Sequence, residues 1–274
     1  MPEGHTLHRI AAEIDAAFSR RRVAVSSPQG RFADSAALLD RATLRGAEAA
    51  GKHLLVEFSG RRLVHVHLGL IGSFVVSAGV ATDPRGAVRL RLRTLSGTRP
   101  AYADLRGPAV CELVGPGERD ALLAGLGPDP LRSDADPDQA WRRITRSQVS
   151  IAALLMRQEV LAGVGNVYRA ELLFRHGIDP HTPGIRIDHE LWSRMWDDLV
   201  RLMHEGVTTG RIDTVRREHT PEAMGRPARV DDHGGEVYVY RRAGMPCWVC
   251  GEKVHTELLA GRNLFWCPRC QRAP

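Results

Sequence analysis

Two short hooks near the end of the chain, CWVC and CPRC, constrain its folding more than any other feature. Sixteen residues separate the Cys247–Cys250 hook from the Cys267–Cys270 hook. Each C-x2-C offers two thiolates from one tight turn, and two such hooks close a tetrahedron around a single zinc ion. Four sulfurs leave no coordination position for a substrate, so the metal is structural. The intervening EKVHTELLAGRNLFW alternates about a glycine turn and reads as a hairpin, with Arg262 just past the turn. By itself, an arginine at such a tip is more often solvated than functional. The fifth cysteine, Cys111, stands alone far upstream and reads as a small buried hydrophobe. A disulfide framework would spread the cysteines differently.

At 274 residues the chain exceeds the common domain size, which predicts two or more domains. Leu7, Ile10, Ala11, Ile14 and Phe18 recur at helical spacing, predicting an amphipathic helix that anchors the first residues. From Arg22 to about Leu113 the pattern turns to short alternating runs, HLLVEF, LVHVHLG and VRLRLRT, which predict a mainly antiparallel sheet or sandwich. Arg89, Arg91 and Arg93 share one face of the last run, and a solvated face is the simpler reading of that row. The Pro- and Asp-rich stretch near 128–140 reads as an interdomain linker. Beyond it the pattern is helical: Ile151, Leu154, Leu155 and Gln158 share one face, Val167, Ala170, Leu173 and Phe174 another. Trp192, Met195, Trp196, Leu199 and Met203 define a third helix, with both tryptophans in the core. Residues 206–235 are polar and glycine-rich and predict a long mobile loop.

AGVGN lies between two of these helical segments and places Asn166 at the N-cap of the second. Small residues with exposed amides at a helix N-terminus suit a phosphate. The residues alone leave this open against a plain helix connection with an Asn cap. The formal charge of +6 permits a polyanionic partner without requiring one. No apolar run is long enough to cross a bilayer and no apolar signal segment follows the start, so the cytoplasm is the default location.

Taken together, PEG at the start, GKHLLVEF around Lys52, HLGLIGSF, LGPDPL, LAGVGNVYRAELLF and GMPCWVCG through GRNLFWCPRCQ resemble the bacterial formamidopyrimidine-DNA glycosylase and endonuclease VIII family of base-excision repair enzymes. The resemblance implies a multidomain α+β fold. Its parts are a helix-flanked antiparallel β-sandwich over 1–130, a helix-two-turn-helix domain over 131–240 and a zinc ribbon over 241–274. It further implies a monomeric glycosylase and lyase acting on damaged DNA, double- or single-stranded. Removal of Met1 exposes the Pro2 secondary amine as the nucleophile for the sugar C1′, and the resulting iminium permits β- and δ-elimination. Glu3 is implied to protonate the ring oxygen, Lys52 to assist proton transfer and hold a phosphate, and Arg262 to grip the same phosphates. Asn166 is implied to contact the backbone, while Leu70 and Arg106 fill the gap left by the expelled nucleotide.

The chain departs from the family pattern in two places. His5 and Thr6 stand where a second glutamate follows the opening motif, which removes an expected hydrogen-bonding group beside the nucleophile. Pro108 stands where the formamidopyrimidine branch has an aromatic wedge. The PEG opening and the missing wedge favour the endonuclease VIII branch and oxidised pyrimidines. Two rival readings are a lyase acting chiefly on abasic or single-stranded sites, with little glycosylase activity, and a non-catalytic protein that binds damaged DNA.

Overall fold

The computed structural model describes residues 2–95, 97–230 and 235–272. The chain divides into two compact units, Met1–Gly125 and Leu126–Pro274. In the first, α1 (Gly4–Phe18) precedes β1 (Arg21–Ser26), α2 (Ala33–Leu39), β2 (Thr43–Ala50), β3 (His53–Phe58), β4 (Arg62–His67), β5 (Ser73–Ala78), β6 (Val88–Thr94), β7 (Ala101–Arg106), β8 (Val110–Val114) and α3 (Pro116–Ala124). The strands follow the order β5-β7-β6-β1-β2-β3-β4-β8, and every pairing is antiparallel. β1 pairs with β2 on one side and β6 on the other, joining the two halves of a sandwich. Alternation decides what faces inward: Leu54, Val56 and Phe58 of β3 and Val64 and Val66 of β4 enter a core shared with Leu7, Ile14 and Phe18 of α1. Cys111 packs against that core, and burial pushes its thiol up to about 12.

The arginine row of β6 is not a uniformly solvated face. Arg91 is buried and forms a two-point ion pair with Asp104 of β7, at 2.6 and 2.7 Å. Asp104 sits directly opposite Arg91 in the β6–β7 register, so the carboxylate compensates the buried guanidinium across the ladder.

The second unit holds α4 (Pro137–Ile144), α5 (Ile151–Leu154), α6 (Asn166–Arg175), α7 (His189–Thr209), α8 (Pro221–Met224), β9 (His255–Leu259) and β10 (Arg262–Trp266). α7 carries the apolar stripe expected of the third helix, with Trp192, Met195, Trp196, Leu199 and Met203 all buried. It starts where the Asp188 carboxylate accepts from the Leu191 amide and stops at Gly210 in the left-handed conformation. The helix therefore runs to Thr209, into the stretch expected to be loop. α8 falls within the same stretch, and residues 231–234 lie outside those described. The expected linker also differs: Pro128, Asp129 and Pro130 are buried within the second unit. Its Pro and Asp residues act as turn and cap signals instead, since the Asp136 carboxylate accepts from the Asp138 amide ahead of α4. Among the described residues the ribbon has no core separate from that of the helices. Cys247, Val254, Leu264, Phe265 and Cys267 share one apolar cluster with the helices.

Candidate active site

In the first unit, α1 lies antiparallel to β2. The Arg20 amide donates to the Leu44 carbonyl, the Ser19 hydroxyl to the Arg45 carbonyl, and the Ala47 amide to the Asp15 carboxylate at 3.3 Å. Climbing the helix from Asp15 to Glu3 covers roughly 18 Å, while β2 covers roughly 10 Å from Ala47 to Ala50, where the two-residue turn that carries Lys52 begins. Both paths lead to the same end of the sheet. The antiparallel register thereby directs the start of α1, with Pro2 and Glu3, and the β2–β3 turn, with Lys52, toward one end of this unit.

Glu3 is fully buried and occupies the N-cap position of α1, where its carbonyl accepts from the Thr6 amide at 2.9 Å. His5 and Thr6, which stand where the opening motif is expected to carry a second glutamate, form a neutral pair. Thr6 Oγ1 lies 3.2 Å from His5 Nε2. Burial, and then nearby positive charge including Arg9 and His8, holds the His5 imidazole down to about 4, so it is uncharged at neutral pH. Lys52 sits on the turn between β2 and β3, after Gly51, whose φ of 59° suits a glycine.

The loop after β4 presents Leu70 and Ile71 to solvent, 53% and 89% exposed, so Leu70 is not a core residue. Gly72 closes this loop by donating to the Leu68 carbonyl. A Cβ there would lie 2.3 Å from that oxygen, so only glycine fits. Ile71 was not singled out from the sequence, although its place between two glycines beside Leu70 was a usable signal. Arg106, expected to fill a gap in DNA, is tied here to Asp104 at 2.8 Å and to the Arg85 carbonyl.

In the second unit, the glycine turn is buried instead of exposed. Gln158 fastens it: Gly163 donates to the Gln158 side-chain carbonyl, whose amide donates to the Val164 carbonyl, both at 3.0 Å. Gly165 takes the N-cap position and Asn166 is the first helical residue. The Asn166 side chain donates 2.9 Å to the Asn263 carbonyl, and the buried Arg169 guanidinium donates to both Asn166 Oδ1 and that carbonyl. The start of α6 is thus pinned to the strand carrying Arg262. Arg262 itself is exposed on β10, just past an Ala260–Gly261 turn with φ of 49° and 73°.

Glu171, also missed in the sequence, is fully buried. It accepts from the amides of Tyr238, Val239 and Tyr240 and from the Thr214 hydroxyl, at 2.6 to 2.9 Å. One carboxylate therefore ties both flanks of the 216–235 segment to α6. Its partners lie 43 to 69 residues away, so no local pattern signals the role.

The four hook cysteines bring their sulfurs within 4.8 Å of one another, with Cys247–Cys270 at 3.8 Å and Cys250–Cys267 at 3.4 Å. A tetrahedral zinc with sulfur ligands near 2.3 Å separates them by about 3.8 Å. The donor set fits one structural zinc ion. Among the described residues no helix is long and apolar enough to cross a membrane.

Three family models match in succession. They are the formamidopyrimidine-DNA glycosylase N-terminal domain over 1–111, the formamidopyrimidine-DNA glycosylase H2TH domain over 126–217, and the zinc finger found in FPG and IleRS over 244–273. The chain is 53% identical to Endonuclease 8 1 of Mycobacterium tuberculosis, across 99% of this chain and all of that protein. It is 31% identical to the formamidopyrimidine-DNA glycosylase of Methylococcus capsulatus, across 99% of each. In fold it is similar to a Lactococcus lactis Fpg solved with DNA containing an abasic site, with a TM-score of 0.76 and 22% identity over 98% of this chain and 99% of that one. The chain belongs to the formamidopyrimidine-DNA glycosylase and endonuclease VIII family, in its endonuclease VIII-like branch.

Proposed function

We propose that this protein is a bifunctional DNA glycosylase and abasic-site lyase that repairs oxidised bases, with Pro2 as its nucleophile. The observation that carries this reading is the antiparallel packing of α1 on β2, which directs Pro2, buried Glu3 and Lys52 toward one end of the sheet. After removal of Met1, the Pro2 nitrogen attacks C1′ of the damaged nucleotide and the base departs. Glu3 supplies a proton to the opening sugar ring. The secondary amine gives a charged iminium, which acidifies the C2′ proton and permits elimination of the 3′ and then the 5′ phosphate. Lys52 assists the proton transfers. Arg262 holds flanking phosphates, and Asn166 acts by fixing the strand beside it. Leu70, joined by Ile71, fills the space left by the everted nucleotide; Arg106 joins them on leaving Asp104. Pro108 in place of an aromatic wedge supports oxidised pyrimidines as the favoured class.

Borohydride trapping tests this reading. Covalent adducts with both abasic DNA and a thymine-glycol duplex are expected, together with intact-mass data showing Met1 removed. Trapping on abasic DNA alone would reduce the protein to a lyase. Absence of trapping on either, or a retained Met1, refutes the mechanism.

A further inference from the structure

Beside Lys52, the solvent-side face of the sheet carries polar side chains that none of the roles above uses. His53 opens β3 and pairs across the ladder with His67 of β4; His65, two residues earlier on β4, pairs with Glu112 of β8. Alternation puts all four on one face, opposite Leu54, Val64 and Val66. They are linked: Glu112 Oε1 lies 2.9 Å from His65 Nδ1, and His65 Nε2 lies 2.9 Å from His53 Nδ1. His65 is 6% exposed.

A carboxylate only accepts, so His65 carries a proton on Nδ1. In neutral His65, Nε2 is then the acceptor, which makes His53 Nδ1 the donor and leaves the lone pair on His53 Nε2. His67 is fixed separately: its Nδ1 accepts from the Gly69 amide at 3.1 Å, which places its proton on Nε2. Burial, followed by the charges of His65, His67 and Lys52, holds His53 down to about 4. As an isolated base it would be poor. As the middle of a chain it need never become a cation.

We propose that His53, His65 and Glu112 form a proton relay that serves Lys52 during strand cleavage. A proton arriving at His53 Nε2 forms a bond there as the His53 Nδ1–H bond breaks, and that second proton forms a bond to His65 Nε2. One N–H is made and one broken on His53, and the positive charge comes to rest on His65 against the Glu112 carboxylate. The elimination releases one proton from C2′, while the phosphate departs as an anion, so one proton must leave the site. The relay moves it from the Lys52 turn to the edge strand β8, where the Glu112 side chain is 56% exposed to water. His53, His65 and Glu112 are positioning residues in this scheme. The charged and titratable groups facing His53 are Lys52 from the β2–β3 turn and His65 and His67 from β4, with Glu112 of β8 behind His65.

The inference rests on the lyase reading above, and one experiment separates the two. Single-turnover cleavage and borohydride trapping of the same abasic-site DNA are measured from pH 5.5 to 9 for the wild type, His53→Gln and Glu112→Gln. Glu112 is exposed enough that its variant keeps the fold. Cleavage is expected to fall at least ten-fold relative to trapping in both variants, within the range for lost proton transfer. In Glu112→Gln the pH profile of cleavage is expected to move toward lower pH, because the anion that stabilises a charged His65 is gone. An unchanged ratio of cleavage to trapping, with an unmoved profile, overturns the relay. A wild type that cannot be trapped overturns the lyase reading instead.

Discussion

Replacing His5 by Gln should make the opening of α1 much less sensitive to acid. His5 is 4% exposed and its folded value is about 4, against an ordinary value of 6.5. Between these values the unfolded chain binds a proton that the folded chain refuses, so stability rises with pH across that window and is lost as pH falls from about 6.5 toward 4. Linkage then gives a loss of about 2 kcal/mol from His5 between pH 7 and pH 5. His53 acts in the same direction, but it is common to both proteins and cancels in their difference. Gln cannot titrate and can still hydrogen-bond Thr6. All five tryptophans, Trp141, Trp192, Trp196, Trp248 and Trp266, lie in the second unit, so fluorescence would not follow this event. Native-state hydrogen exchange of the α1 amides does, and yields an opening free energy at each pH. If wild type and His5→Gln lose the same free energy between pH 7 and 5, His5 is not held neutral by burial and the account of the opening motif is wrong.

Replacing Cys247 with Ser should release zinc and weaken binding to abasic-site DNA. Because the ribbon shares its core with the helices, tryptophan fluorescence should also report a destabilised second unit, while exchange protection in β1 to β8 stays unchanged. Normal affinity in zinc-free protein would remove the ribbon from the DNA. Replacing Glu171 with Ala strips the acceptor from three main-chain amides and a hydroxyl and should destabilise the second unit by at least about 3 kcal/mol. Urea unfolding followed by tryptophan fluorescence measures this, and a change below 1 kcal/mol would mean that water satisfies those amides.

The parts legible in the sequence are those whose physics is local. The stripe of α7 shows at helical spacing because one face of a helix must be apolar to pack, and Asp188 and Gly210 mark its ends by capping chemistry within a turn. The zinc hooks show because a tight turn sets the spacing of two thiolates. VRLRLRT shows as a strand for the same reason, but which of its arginines is buried depends on Asp104, a residue of the neighbouring strand. Asn166 is named correctly as part of the turn and given the wrong cap, because its side chain answers to the Asn263 carbonyl 97 residues on.

The same distinction explains why the proposed reacting end of the first unit could be named but not built from sequence. PEG and Lys52 stand out as residues, yet what directs them toward one end of the sheet is the antiparallel register of α1 beside β2. That register is fixed at Asp15 and Ala47, far from the residues it serves. A one-residue change between Glu3 and Asp15 would leave every motif in place and turn the terminus by about 100° around the helix. The chemistry proposed for this chain therefore depends on that packed register as much as on the proposed nucleophile.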